Sequence, residues 1–205
     1  LQVPTHDPYS LHSPPLPWTA HEWLSEVIMA TLFRAFGLTG VVIFFAVLLS
    51  LTHWLLFQSL RLRFNDIFLC VVIILVATAS SSIHWLARPH AFSLLFVVIW
   101  CHCLDQFQRT NRNALLSLPL LMVIWVNLHG GFMIGLLLLT VYLVGNVFYA
   151  LVSSRGRADN HTRKAKILFV VLLASLGACL LNPFGIDILW FPIRVAADRF
   201  IADQV

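Results

Sequence analysis

The feature that most constrains this chain is a series of long apolar segments, each separated from the next by a short polar or glycine- and proline-containing turn. A transmembrane helix needs about 20 consecutive apolar residues, whereas a membrane-spanning strand needs about ten residues of alternating polarity. The segments here are continuous, so the sequence predicts an all-α, polytopic transmembrane helix bundle of about six spans. The predicted spans occupy residues 38–60, 67–85, 91–108, 115–126, 132–152 and 167–181.

The composition excludes a water-soluble protein. Hydrophobic residues make up 60% of the 205 residues and charged residues 11%, whereas about a quarter of a soluble protein is charged. The sequence contains no glycine-rich phosphate loop, HExxH motif or GxSxG motif, which argues against ATP-driven transport and zinc hydrolysis. Cys101 and Cys103 lie two residues apart in a predicted helix, so their thiols point to different sides and predict no shared metal ion.

The polar segments predict three regions. Residues 1–36 form an outer loop plus a juxtamembrane helix, because residues 1–20 contain five prolines and a helical pattern follows until Gly37. Residues 37–185 form the transmembrane bundle, and residues 186–205 form an interfacial segment. The chain is expected to be an internal fragment of a longer membrane protein.

The distribution of Lys and Arg predicts the orientation of the bundle. Nine of the 13 basic residues lie in three alternate predicted loops, which are residues 61–66, 109–113 and 153–166. Cytoplasmic loops carry an excess of Lys and Arg, so these three loops are expected in the cytoplasm. Six of the nine histidines and several carboxylates then fall on the other side of the membrane.

Those polar residues are the candidate functional groups, because ionisable groups next to a membrane are costly and often mark function. Each also has a structural interpretation. Asn127 and His129, followed by two glycines, form either a helix reversal or part of a site, while the others open, turn or end helices. The candidates are His6, Asp7, His21, Glu22, Arg88, His90, Asn127, His129 and Asn182.

Five short motifs resemble those of a group of bacterial multi-span membrane proteins. They are PTHDPYS (4–10), PWTAHEWL (17–24), ARPH (87–90), WVNLHGGF (125–132) and LNPFG (181–185). That group resembles the GT-C type of membrane glycosyltransferase. The resemblance implies a GT-C-like fold in the bacterial cytoplasmic (inner) membrane. It also implies transfer of a sugar from a polyprenyl-phosphate donor to an acceptor on the non-cytoplasmic face.

The resemblance also implies roles for the candidates. Transfer of this kind needs a carboxylate to take the acceptor proton and cationic groups to hold the leaving phosphate. Asp7 or Glu22 is the expected catalytic carboxylate, and the family's further acidic motif is expected before Leu1. The phosphate-binding residues are expected to be Arg88, His90 and His129, with His6, His21, Asn127 and Asn182 in support. A divalent cation, Mg²⁺ or Mn²⁺, is expected at Asp7 and His6 if one binds at all.

Two other functional classes compete with the transferase. One is a non-catalytic carrier of lipid-linked sugars, and the other is a structural membrane protein whose active residues all lie upstream. A transporter is expected to show internal repeats and polar residues at mid-membrane. The chain shows no repeat, and its mid-span polar residues are few, which favours the transferase. Membrane lipid and a lipid-linked sugar are therefore the expected partners, and nucleic acid is not.

Overall fold

The computed structural model describes residues 20–110 and 114–197 of the chain, and within them every regular element is a helix. This confirms the all-α prediction. Short 3₁₀ turns cover Ser82–His84 and Ala114–Ser117. The helices are α1 (Trp23–Arg63), α2 (Ile67–Ser81), α3 (His90–Thr110), α4 (Leu118–Leu128), α5 (Phe132–Val152), α6 (Arg155–Cys179) and α7 (Asp187–Ala197).

Three of the described helices, α1, α3 and α5, are long and apolar enough to cross a membrane. This supports the predicted association with a membrane. The helix α2 and the segment Leu115–Leu128 are apolar but shorter. The helix α6 is long, but its first half contains the basic residues of the segment 153–166.

The helix α1 consists of two helical parts that meet at Gly37. The backbone of Gly37 has φ 66° and ψ −165°, which interrupts the helix and kinks it. A side chain disfavours a positive φ, so glycine suits this position. The break lies at the glycine where the sequence predicts the juxtamembrane helix to end. Beyond it, Val41, Phe45 and Leu48 are buried against the bundle.

The prediction of a basic loop over residues 153–166 is wrong, because α6 begins at Arg155. This stretch contains no proline and is rich in Arg, Lys and Ala, which favour helix. Its inner side also packs, since Lys164 and Ala165 are buried and His161 Nδ1 lies 2.9 Å from Asn146 Oδ1 of α5. Arg61 and Arg63 likewise belong to the last turn of α1, and Arg109 to that of α3, while residues 111–113 lie outside the described part.

Aromatic side chains fill the centre of the bundle. Trp125 of α4 stacks on Phe96 of α3, with ring centroids 5.2 Å apart, and meets the edge of Trp100 at 5.0 Å. The helix α5 approaches these rings at Gly135, where an added Cβ atom would lie 2.7 Å from Trp125. The absence of a side chain at Gly135 therefore decides how closely α5 packs on α3 and α4.

Polar contacts collect at the two ends of the bundle. At one end, here called the basic end, Arg63 of α1 pairs with Asp105 of α3 at 2.7 Å, and the Lys164 ammonium donates to the Gln108 carbonyl at 2.7 Å. The opposite end, the cluster end, contains the start of α1, the start of α3 and the turn between α4 and α5. Glu22 and His129 meet there. The helix ends therefore gather in space as the alternating turns of the sequence predict.

The approach of α5 to the tryptophans is tested by Gly135→Ala. We expect a loss of about 1–3 kcal/mol in the free energy of unfolding, because the methyl group overpacks a rigid aromatic contact. Gly145→Ala on the same helix is the control, because nothing lies within 4 Å of its added Cβ and alanine favours helix there. Denaturation in detergent measures both, and equal effects would contradict the packing.

Candidate functional site

The cluster end holds a carboxylate between two imidazoles. Glu22 Oε1 lies 3.3 Å from His129 Nε2 and 3.5 Å from His21 Nε2. Glu22 precedes the first turn of α1, and His129 ends α4, so a fixed meeting of two helix ends positions the pair. The Glu22 and His129 side chains are 22% and 25% exposed, so a ligand at the end of the bundle can reach them. His21, Glu22, Ser93 and His129 are called the Glu22 cluster below.

The second nitrogen of the His129 ring, Nδ1, contacts α3 and the turn into α5. Ser93 Oγ lies 2.8 Å from His129 Nδ1, and the Gly131 backbone N–H donates to the same nitrogen at 2.9 Å. Trp125 Nε1 donates to Ser93 Oγ at 2.8 Å. Both Trp125 and Ser93 are buried. A chain of polar contacts thus runs from the aromatic core through Ser93 and His129 to Glu22.

These partners assign the tautomer of His129. A nitrogen that accepts from a backbone N–H carries no proton, so Nδ1 of His129 is the acceptor and the Ser93 hydroxyl donates to it. The proton of the neutral ring is then on Nε2, the nitrogen that faces Glu22. The ring therefore presents an N–H to the carboxylate while its other side is anchored.

The electrostatics of the cluster favour the same state. Burial lowers the pKa of His129 below its ordinary value of 6.5, because desolvation disfavours the charged ring. The Glu22 charge opposes this by raising the pKa, and the neighbouring His90 and His21 lower it further. His129 is accordingly neutral near pH 7, which agrees with the tautomer that its hydrogen bonds require.

A second, buried network ties the start of α1 to α4 and to the turn after α6. Trp23 Nε1 donates to Asn127 Oδ1 at 2.7 Å. The Asn182 amide donates to the same oxygen at 3.2 Å and to the Val126 carbonyl at 3.1 Å. Because Trp23 follows Glu22 directly, this network fixes the place of the carboxylate. Of the predicted supporting residues, Asn127 therefore contacts the neighbour of Glu22, and Asn182 contacts Asn127.

The predicted phosphate-binding residues occupy the same end of the bundle. The rings of His90 and His129 have centroids 6.3 Å apart. Arg88 lies in the turn two residues before His90 and is exposed. Among the described residues, no ion pair engages the Arg88 guanidinium. The site thus combines Glu22, His21, His129 and His90, and Arg88 lies in the turn that leads into His90.

Two candidates lie outside the described residues. His6 and Asp7, and with them the predicted cation site and the alternative catalytic carboxylate, belong to residues 1–19. Within residues 20–110 and 114–197, no group of three or more His, Cys, Asp or Glu side chains is arranged to hold a metal ion. Glu22 is therefore the candidate catalytic carboxylate whose surroundings are described.

Sequence reasoning missed Ser93, Trp23 and the polar role of Trp125. Ser93 follows His90 by three residues, so both lie on one face of α3, and that spacing was the available signal. The indole N–H of Trp23 donates to Asn127 Oδ1, a contact with a residue 104 positions away. The polar contacts of the two tryptophans were not predicted, because the sequence does not show which polar group an indole N–H will meet.

A comparison of the chain with protein-family models, curated proteins and solved structures finds no match. The chemistry of the site therefore rests on the contacts of its own residues.

The anchoring of His129 is tested by Gly131→Ala. An added Cβ would lie 2.3 Å from Ser93 Oγ and 2.9 Å from His129 Nδ1, so the serine and the imidazole must separate. We expect a loss of about 1–3 kcal/mol in the free energy of unfolding. Gly130→Ala, with nothing within 4 Å of its Cβ, is the matched control. Denaturation in detergent compares them, and a tolerated Gly131→Ala would refute the contact.

The lowered pKa of His129 predicts that acid destabilises the protein. The unfolded state binds the proton near pH 6.5 and the folded state only at lower pH, so the free energy of unfolding falls as the pH drops through this window. Melting temperatures at about pH 7.5 and about pH 5 measure the effect. His129→Asn removes the titrating ring, so the free energy of unfolding of the variant should fall less on acidification. An equal loss would contradict the assignment.

Proposed function

We propose that this protein is an integral membrane glycosyltransferase of GT-C-like fold that transfers a sugar from a polyprenyl-phosphate donor on the non-cytoplasmic face of a bacterial inner membrane. The observation that carries the proposal is the Glu22 carboxylate, held 3.3 Å from the proton-bearing nitrogen of a neutral His129. It lies at a partly exposed end of an apolar helix bundle. The resemblance of the motifs named above suggests the substrate class.

Glu22 acts as the catalytic base in this proposal. The acceptor oxygen forms a bond to the anomeric carbon from the side opposite the phosphate, and its proton passes to a Glu22 oxygen. The bond between the anomeric carbon and the phosphate oxygen breaks, and polyprenyl phosphate leaves with the electron pair. The configuration at the anomeric carbon inverts. A positioned carboxylate of this kind contributes about 10²–10⁴-fold to the rate of such a step.

His129 is a positioning residue in this mechanism. Its Nδ1 is already bound to Ser93 and Gly131, and its Nε2 faces Glu22, so it orients the carboxylate. The donor phosphate is assigned to Arg88 and His90 instead. The exposed guanidinium of Arg88 is suited to a phosphate, because guanidinium and phosphate pair through two parallel hydrogen bonds.

The proposed topology has six membrane segments, made of α1 beyond Gly37 and α2 to α6. The basic end then lies in the cytoplasm, as the positive-inside rule requires of Arg61, Arg63, Arg109 and the start of α6. The Glu22 cluster lies on the other side. The end of α1 that precedes Gly37 and the helix α7 lie along the outer surface of the membrane.

Transfer from a panel of polyprenyl-phosphate sugars, measured with the protein in nanodiscs, tests the proposal. We expect Glu22→Gln to lower kcat by about 10²–10⁴-fold, because the amide cannot take the acceptor proton. Glu26→Gln is the control, since Glu26 is an exposed acid one helical turn away.

His129→Gln retains a donor toward Glu22, so it should keep more activity than His129→Ala, with KM unchanged. Arg88→Gln should raise KM for the donor.

Three results would overturn the proposal. The first is consumption of no donor by folded wild type. The second is a Glu22→Gln variant as active as Glu26→Gln. The third is movement of the donor across a bilayer without turnover, which assigns the protein to the carriers. Asp7→Asn is assayed in parallel, and a loss confined to that variant moves the base to Asp7.

A further inference from the structure

A groove of about 470 Å³ opens on the side of the bundle between α5 and α6, toward the basic end. Its walls are apolar. Val144 and Val147 of α5 and Phe169 of α6 are 60%, 44% and 50% exposed along it. The hydroxyl of Thr162, a further lining residue, donates to the Ala158 carbonyl within α6. The groove therefore presents a hydrocarbon surface along most of its length.

One lining residue carries a charge, and it is Lys166. Lys166 is exposed, and no described carboxylate lies within ion-pair distance of it. The nearby Lys164 differs, because it is buried and donates to the Gln108 carbonyl at 2.7 Å. Lys166 thus offers a cation to a ligand of the groove.

The direction of α6 places this cation at the polar edge of the groove. Side chains of a helix lean toward its N-terminus, which for α6 is the basic end. The Lys166 side chain therefore extends over Thr162 toward the basic end, while Phe169 lies about one turn deeper. Residues 155–166 also contain five basic residues against one acid, which complements an anionic surface.

The groove is open along its length, and Lys166 is the one charged residue of its lining. An extended acyl chain is narrow enough to lie along such a groove. A lipid with an anionic headgroup and a hydrocarbon chain matches this groove, because Lys166 lies at its polar edge and most of its other lining residues are apolar.

We infer that the groove between α5 and α6 binds one acyl chain of an anionic phospholipid whose phosphate group pairs with Lys166. The inference is independent of the proposed transferase and concerns the opposite end of the bundle. The lipid fills the exposed surface between the two helices and ties the start of α6 to the membrane surface.

Native mass spectrometry of the whole chain in neutral detergent tests the inference by titration with phosphatidylglycerol or phosphatidylcholine. We expect wild type to bind phosphatidylglycerol more tightly. Lys166→Gln should weaken that binding about fivefold and leave phosphatidylcholine unaffected. Arg163→Gln is the matched control, because Arg163 is an exposed cation in the same part of α6 but does not line the groove. This variant should bind both lipids as wild type does.

Val147→Trp tests the apolar half of the site, because the indole fills the groove. It should weaken binding of both lipids while Lys166 remains in place. Equal binding of the two lipids by wild type would overturn the inference, as would equal losses in Lys166→Gln and Arg163→Gln, which indicate a diffuse basic surface. A dimer that dissociates in Val147→Trp would also overturn it, because the groove would then hold a second copy.

Discussion

The contact on which the candidate site depends is the hydrogen bond between Ser93 and His129. The serine hydroxyl accepts from the buried Trp125 indole and donates to the imidazole, so it joins the aromatic core to the polar end of the bundle. Gly131 makes this contact possible, because a side chain there would occupy the position of the serine oxygen. Without the contact, Nδ1 of His129 loses a donor, and the orientation of the ring toward Glu22 is no longer determined.

The distribution of polar side chains in the bundle follows from the cost of burying them. A polar group without a hydrogen-bond partner is costly in hydrocarbon, so polar side chains gather where the helices end. The two ends of the bundle then differ in chemistry. The basic end has an excess of cations, of which Arg63 pairs with Asp105 at 2.7 Å. The cluster end combines a partly exposed carboxylate with a neutral imidazole, an arrangement that suits proton transfer.

Particular residues show how far the sequence alone reaches. The length and continuity of the apolar segments predicted helices, and Gly37 was predicted to end the juxtamembrane helix, where the structure has a kink within α1. Glu22 and His129 were both predicted as site residues from their position at the ends of segments. Their direct contact was not predicted, because they lie 107 positions apart and periodicity says nothing about which helix ends meet. The loop predicted over residues 153–166 was wrong, because a segment rich in charged residues was expected to lie outside the helices. In the structure this segment is helical, with Ala165 buried and His161 in contact with Asn146 of α5.

The sequence by itself determined that this chain is helical and that it is suited to a membrane. It also determined that many of the basic residues lie at the opposite ends of the apolar segments from Glu22, His90 and His129. These properties follow from local composition, since the burial of apolar side chains and the hydrogen bonding of a backbone in hydrocarbon depend on a single segment. The tertiary structure alone decided the tautomer of His129, its lowered pKa and its place beside Glu22. Each of these depends on groups from distant segments, such as Ser93 and Gly131, and only the packing of α3, α4 and α5 brings them together.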